Sequence, residues 1–249
     1  MKGGVDTGGC FPTGRHYPGI AHLIRVQVEG LAEEWGAELE VGNIPWVSID
    51  TETTGRDAKE DRVVEVGFVY MNGTEVTDRK GWLINPGCPI PEDASNVHGI
   101  LDADVADKPS FAEVADEIFA GLSGVLPQAY NADFDRGFIL EEFLRIDKYR
   151  SVGKKELPPA LRDGVQWVDP LDWARELHKE HKSRALGAVC ERLGIALENA
   201  HRATDDAEAA GQVMLAFLKD GRVPRPYGAF IKEQRRLNRQ YEFERVRWR

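Results

Sequence analysis

Asp50, Glu52, Asp135, His201 and Asp206 are the side chains of this 249-residue chain best equipped for chemistry, and they fall in three short patches. These are Asp50-Thr51-Glu52-Thr53-Thr54-Gly55, Asn131-Ala132-Asp133-Phe134-Asp135 and His201-Arg202-Ala203-Thr204-Asp205-Asp206. Trp46-Val47-Ser48-Ile49-Asp50 reads as a strand, and side chains two apart in a strand face the same way. Asp50 and Glu52 would then present two carboxylates roughly 7 Å apart. Like charges that close, partly desolvated at the end of a core strand, call for a hard divalent cation with oxygen ligands. Such a set is suited to splitting phosphodiesters.

The other two patches are ambiguous when each is taken alone. Asp135 falls in the first turn of a helix that follows a strand, with Asp133 as a plausible N-cap, so both aspartates have a reading as partners of the helix dipole. Thr204 likewise reads as a cap for a helix whose first turn carries Asp205, Asp206 and Glu208. That reading leaves His201 unexplained. An imidazole on the preceding loop titrates near neutral pH and can take a proton from water.

The elements that must position these groups follow from periodicity. Strands are expected at 46–51, 62–70 and 75–84, the last two joined through Asn72-Gly73, and another at 125–130. Phe111, Val114, Ala115, Ile118, Phe119 and Leu122 recur at helical spacing. Further helices are expected over about 134–145, 171–181, 184–193 and 205–218. Residues 1–44 read as an extension, a Gly- and Pro-rich tip followed by a short helix within 22–39. Residues 147–164, with five Lys/Arg and Pro158-Pro159, read as a mobile basic loop. The core domain is expected at 45–220, and 221–249 reads as a basic aromatic tail able to form an amphipathic helix.

Composition bounds the rest. With 42% hydrophobic residues the chain can bury one substantial α/β core. Cys10, Cys88 and Cys190 are too scattered for a disulfide framework or a structural zinc, so a reducing cytoplasm is the expected setting. There is no signal-type segment and no apolar run of about 18 residues, so no membrane is expected as a partner. Net charge is −10, but residues 221–249 carry nine Lys/Arg against three Asp/Glu, which leaves −16 for residues 1–220. His178 and His181, three apart among charged neighbours, read as a solvated helix face.

In order and context, the three patches resemble the DEDDh branch of the DnaQ-like 3′-to-5′ exonuclease superfamily, the group that includes polymerase proofreading subunits, RNase T and oligoribonuclease. The resemblance covers about residues 46–218. It implies a ribonuclease H-like fold, a mixed central sheet of about five strands flanked by helices. It also implies that Asp50, Glu52, Asp135 and Asp206 hold two divalent ions, Mg2+ or Mn2+, with His201 as general base, and that nucleoside 5′-monophosphates leave from a 3′ end. His98, in Val97-His98-Gly99-Ile100, matches a segment that lines the terminal nucleotide. Thr53 and Phe134 are further substrate candidates, and Arg56 stands where the family often has an apolar wedge, so a guanidinium would stack on a base or bind phosphate there.

The expected partner is a nucleic-acid 3′ end, single-stranded DNA being favoured and RNA the alternative. Tyr227, Phe230, Tyr241, Phe243 and Trp248 among the arginines of the tail suit single strands. Folding back onto the acidic body and docking of a polymerase or other protein are the competing readings of that tail. A non-catalytic nucleic-acid scaffold built on it is the alternative to an enzyme.

Overall fold

The structure is a computed structural model, and it describes residues 29–197 and 201–247. The expected tip and the start of the expected N-terminal helix lie outside these residues; the described part, 29–39, is a series of turns and not a helix. A 3-10 turn, Val41–Asn43, leads into β1 (Trp46–Thr53), β2 (Val63–Asn72) and β3 (Glu75–Leu83). Then come α1 (Glu92–His98), α2 (Asp102–Val105), α3 (Phe111–Gly121) and β4 (Leu126–Gln128). The chain continues through α4 (Ala132–Leu144), α5 (Asp147–Arg150), a 3-10 turn Pro159–Leu161, α6 (Pro170–Leu177), α7 (Leu186–Leu193), α8 (Ala203–Phe217) and α9 (Tyr227–Arg247).

The sheet has four strands in the order β3-β2-β1-β4, with β1, β2 and β3 antiparallel and β4 parallel to β1. The expected fold class holds, but about five strands is one too many. Residues 165–168 make two isolated parallel bridges, Val165 to Gly30 and Val168 to Gln128, and no fifth strand of the sheet, and α6 begins at Pro170.

Alternation along β1 divides the core. Trp46, with Val69 and Met71 of β2, packs on α8, α6 and α9. Val47 and Ile49 face the opposite way, onto α3 and α4. Ser48 falls on the first face, where its hydroxyl donates to the Ala207 carbonyl of α8 at 2.5 Å and accepts from Gln128 at 2.9 Å. By the same period of two, Asp50 and Glu52 share the α8 side, while Thr51 points to the α4 side.

In two segments apolar anchors outweigh the charge: 147–164 departs from the expected mobile loop, and the tail takes the reading in which it folds back onto the body. In 147–164, Tyr149, Ala160 and Leu161 are buried, and the Trp167 indole donates to the Ala160 carbonyl at 3.0 Å. The basic residues cover an ordered stretch. The C-terminal segment forms the helix its pattern allowed, but Tyr227, Phe230 and Leu237 are spent inside the core. Phe230 stacks on Trp173 with centroids 4.9 Å apart, and the Tyr227 hydroxyl accepts from the Ala32 amide at 3.0 Å. Of the tail aromatics, Phe243 is exposed and Trp248 lies outside the described residues.

Candidate active site

The first two carboxylates arrive by strand alternation and sit at the C-terminal end of β1. Across the antiparallel register, Asp50 faces Gly67 and Glu52 faces Glu65. The intervening Thr51 is buried and donates from Oγ1 to Oδ1 of Asp135 at 2.8 Å. That bond ties the strand to the first turn of α4, where Asp135 is itself buried.

What aims α4 at this point is a carboxylate from elsewhere. Asp169 accepts from the amides of Asn131 and Ala132, both at 3.0 Å, and from Leu171 at 2.8 Å, so one buried side chain serves the starts of α4 and α6. Asp133 is exposed in the first turn and is not the N-cap, which is Asn131 in left-handed backbone at φ 68°. Asp169 is held in turn by Gln234 of α9, whose Oε1 accepts its amide at 3.0 Å while Nε2 donates to the Trp167 carbonyl at 2.8 Å. The C-terminal helix therefore buttresses the site.

The third patch repeats the device. The start of α8 is satisfied not by Thr204, which lies inside the helix, but by Glu65, which accepts the Ala203 amide at 3.2 Å. Glu65 is buried and also receives the Arg202 guanidinium, from Nη2 at 2.8 Å and Nε at 3.3 Å. His201, next in line, has φ 70°, and its amide donates to Oδ2 of Asp206 at 2.9 Å. Asn131 and His201 are the two non-glycine residues with positive φ among those described, and each immediately precedes an acid-bearing helix start. Backbone held in that region persists where its surroundings enforce it. Ligand atoms of Glu52, His201 and Asp206 all lie within 4.8 Å of one another.

The cluster is electrostatically unfinished. Burial, then the charges of Asp135, Glu52 and Asp206, holds Asp50 well above the ordinary carboxyl range. Burial followed by Asp206, Glu65 and Asp135 pushes Glu52 up to about 8, with Arg202 pulling the other way. Burial lifts Asp135 to about 7 despite the Thr51 hydroxyl, and burial also raises Asp206 against the His201 amide. Among the described residues, Glu65 has its ion pair in Arg202, while no Lys or Arg pairs with Asp50, Glu52, Asp135 or Asp206. Four crowded oxygen donors lacking a protein cation fit hard divalent ions.

Of the substrate candidates, His98 is buried at the end of α1; Nδ1 accepts the Ile100 amide at 3.0 Å, and Nε2 completes no hydrogen bond. Burial lowers its pKa, offset in part by the nearby Thr53 backbone and the Glu65 charge. The Thr53 hydroxyl is engaged locally, donating to the Gly55 carbonyl at 2.6 Å. Phe134 is half-buried against Phe138, with centroids 4.9 Å apart, and Arg56 is exposed in the turn after β1.

An exonuclease family model, RNase_T, matches residues 47–214. The chain belongs to this exonuclease family. It falls within the DEDDh 3′-to-5′ exonuclease superfamily that the three patches resemble. Among curated relatives, the DNA polymerase III PolC-type protein of Oceanobacillus iheyensis is 34% identical over 169 residues, covering 68% of this chain and 11% of that protein. The protein of the same name from Streptococcus thermophilus is 29% identical over 182 residues, 73% of this chain and 12% of its own. The chain thus spans only about an eighth of the length of such relatives. In fold it is similar to Exonuclease X in complex with 5′ overhanging duplex DNA, with TM-score 0.56, 22% identity and coverage of 75% of this chain and 99% of that one. It is also similar to E. coli Exonuclease I in complex with a dT13 oligonucleotide, with TM-score 0.59, 21% identity and coverage of 73% and 42%.

Sequence reasoning missed the supporting residues of this site. Glu65 had a signal, a lone charge inside the apolar run Val63-Val64-Glu65-Val66, since a buried charge demands a partner. Asp169 had one too, an Asp directly before Pro170 at a helix start. We expect Glu65→Gln to lower kcat by roughly 10- to 100-fold with little change in KM, because the His201 turn loses its anchor. Steady-state kinetics on a protein with unchanged circular dichroism checks this, and a wild-type kcat would refute the anchoring role.

Proposed function

We propose that this chain is a 3′-to-5′ exonuclease that uses two divalent metal ions to hydrolyse the terminal phosphodiester of DNA, single strands being favoured, and releases nucleoside 5′-monophosphates. The observation that carries the reading is the convergence of Asp50, Glu52, Asp135, Asp206 and His201 from β1, α4 and the start of α8. DNA is favoured as substrate because the curated relatives are named DNA polymerases and the similar structures hold DNA.

Asp50, Glu52, Asp135 and Asp206 would hold the two ions, Mg2+ or Mn2+. When bound, such ions supply Lewis-acid activation of water and neutralise charge on the phosphoryl oxygens. His201, exposed on its turn and fixed through its backbone to Asp206, takes the proton of the attacking water. The water oxygen bonds to phosphorus as the P–O3′ bond breaks, and the phosphate stays on the departing nucleoside. His98, with Nε2 unsatisfied inside the fold, would meet a polar group of the terminal nucleotide. Thr53, Phe134 and Arg56 line the same strand end and helix start and would complete the terminal subsite.

Incubating end-labelled single-stranded DNA with Mg2+, Mn2+ or chelator tests the reading. Metal-dependent release of mononucleotides from the 3′ end is expected, with His201→Ala lowering kcat by about 10²- to 10⁴-fold. Release that survives chelation, or no release from any DNA or RNA strand, would sink it.

A further inference from the structure

Beside the acidic centre lies a cleft of opposite character. Its volume is about 820 Å³, and its walls include Arg175, Lys179, Lys182 and Arg184 together with the rings of Tyr130 and Tyr241. Asn131 also lines it, so the cleft borders the residue that opens α4, whose first turn carries Asp135. Glu244 is the single acid on the wall. In a chain whose first 220 residues carry a net −16, four cations on one concave surface are a marked inversion; Arg175 pairs with Asp172 and Lys179 lies 3.7 Å from Glu176, while among the described residues no acid pairs with Lys182 or Arg184.

Arginine and tyrosine side chains fix the walls of the cleft, and Lys179 and Lys182 stand exposed on its rim. Arg175 pairs with buried Asp172 at 2.8 Å and lies over the Tyr241 ring at 3.6 Å, which welds α9 to α6. Asn238 adds a bond to Asp172 at 3.3 Å. The Tyr130 hydroxyl donates to the Arg184 carbonyl, and Arg184 bonds the carbonyls of Lys179 and Lys182 at 2.5 and 3.3 Å. Bonds to carbonyls leave the Arg184 charge unneutralised, and Lys182 is exposed on the same turn. A fixed turn thus presents positive charge beside aromatic rings.

We propose that this cleft is the track for the strand upstream of the bond being cut, with Lys179, Lys182 and Arg184 meeting backbone phosphates and the Tyr130 and Tyr241 rings offering faces to bases. This deepens, and rests on, the reading of the acidic centre as an exonuclease site. Phosphate contacts with ring stacking are the sequence-tolerant way to hold a single strand. An enzyme that shortens any sequence needs that tolerance. The C-terminal helix then contributes to substrate binding by closing one wall, and not as a free basic arm.

The test uses the full chain and the double variant Lys179→Ala/Lys182→Ala, which leaves every acid and His201 in place. Binding of a labelled oligonucleotide of about ten nucleotides is measured in chelator across a salt series, and turnover is measured on the p-nitrophenyl ester of thymidine 5′-monophosphate, which is too small to reach the cleft. We expect the oligonucleotide Kd to rise roughly tenfold and the slope of log K against log salt to fall by about 1.4, at 0.7 for each lost contact on a single strand. The small ester should be hydrolysed as before. Unchanged oligonucleotide affinity and salt slope would overturn the track. Binding of polyglutamate as tight as that of DNA, lost in the same variant, would overturn it in favour of an acidic protein partner. If neither protein hydrolyses the ester or DNA while the slope falls as expected, the cleft stands as a single-strand binding surface, and the exonuclease reading, with the track's place upstream of a cut, fails.

Discussion

Near pH 8 and without divalent cations, Asp50→Asn is expected to melt at a higher temperature than the parent protein while losing nuclease activity by on the order of 10³-fold or more. Both effects have one cause. Asp50 is the most crowded carboxyl of the set, raised by burial and by Asp135, Glu52 and Asp206, so its ionised form is costly in the metal-free fold. An amide of the same shape removes that repulsion, and removes with it an oxygen ligand of formal charge. Thermal melts with and without Mn2+ and kinetics on DNA check the two halves. A variant that is destabilised in chelator, or one that retains activity, would break the link between carboxylate crowding and cation binding.

The sign of the accompanying pH dependence follows from the direction in which burial and crowding move these carboxyls. A carboxyl with a raised folded-state pKa binds more protons in the native than in the unfolded state, so stability falls as pH rises through that interval. With Glu52 near 8 and Asp135 near 7, the metal-free protein should lose stability between about pH 5 and pH 8. Each tenfold difference in proton affinity between the folded and unfolded chain is worth about 1.4 kcal/mol, and each kcal/mol roughly 2–4 °C in a chain of this length. Divalent ions bind the ionised form and should flatten the loss.

The candidate site groups were legible in the sequence because their placement is local. Alternation sets Asp50 and Glu52 on one face, and the first turns of two helices carry Asp135 and Asp206. Overlooked were the groups that aim those turns, although each left a trace in the sequence. Local capping chemistry named Asp133 and Thr204, yet the helix starts are satisfied by Asp169 and Glu65, the latter 138 residues away from the amide it accepts. Capping rules count near neighbours, and a carboxylate delivered by another element escapes them. For the C-terminal helix the sequence left folding back and strand binding both open. Its aromatic and arginine content suited a strand of nucleic acid, but Gln234 and Phe230 acquire their meaning only against Asp169 and Trp173.

Gly67→Ala is expected to be the most damaging small substitution in the sheet, costing about 3 kcal/mol or more of stability and about 10²-fold or more in kcat. No unusual backbone torsion is involved; the reason is proximity. A Cβ at position 67 would lie 2.3 Å from the carbonyl carbon of Ala203 and 2.4 Å from the amide nitrogen of Thr204. Both contacts are with backbone, so no side chain can swing aside. Gly67 lies opposite Asp50 in the strand register, and the missing side chain lets α8 begin directly on the sheet beside it. A methyl group there must lift the turn that holds His201, Arg202 and Asp206 away from Asp50 and Glu52. Gly187→Ala is the matching control, because a Cβ at that position meets nothing within 4 Å. Denaturant unfolding and kinetics on both variants would decide the matter. A Gly67→Ala protein of wild-type stability and activity would mean that the helix start tolerates displacement, and that the acids do not depend on how closely α8 approaches the sheet.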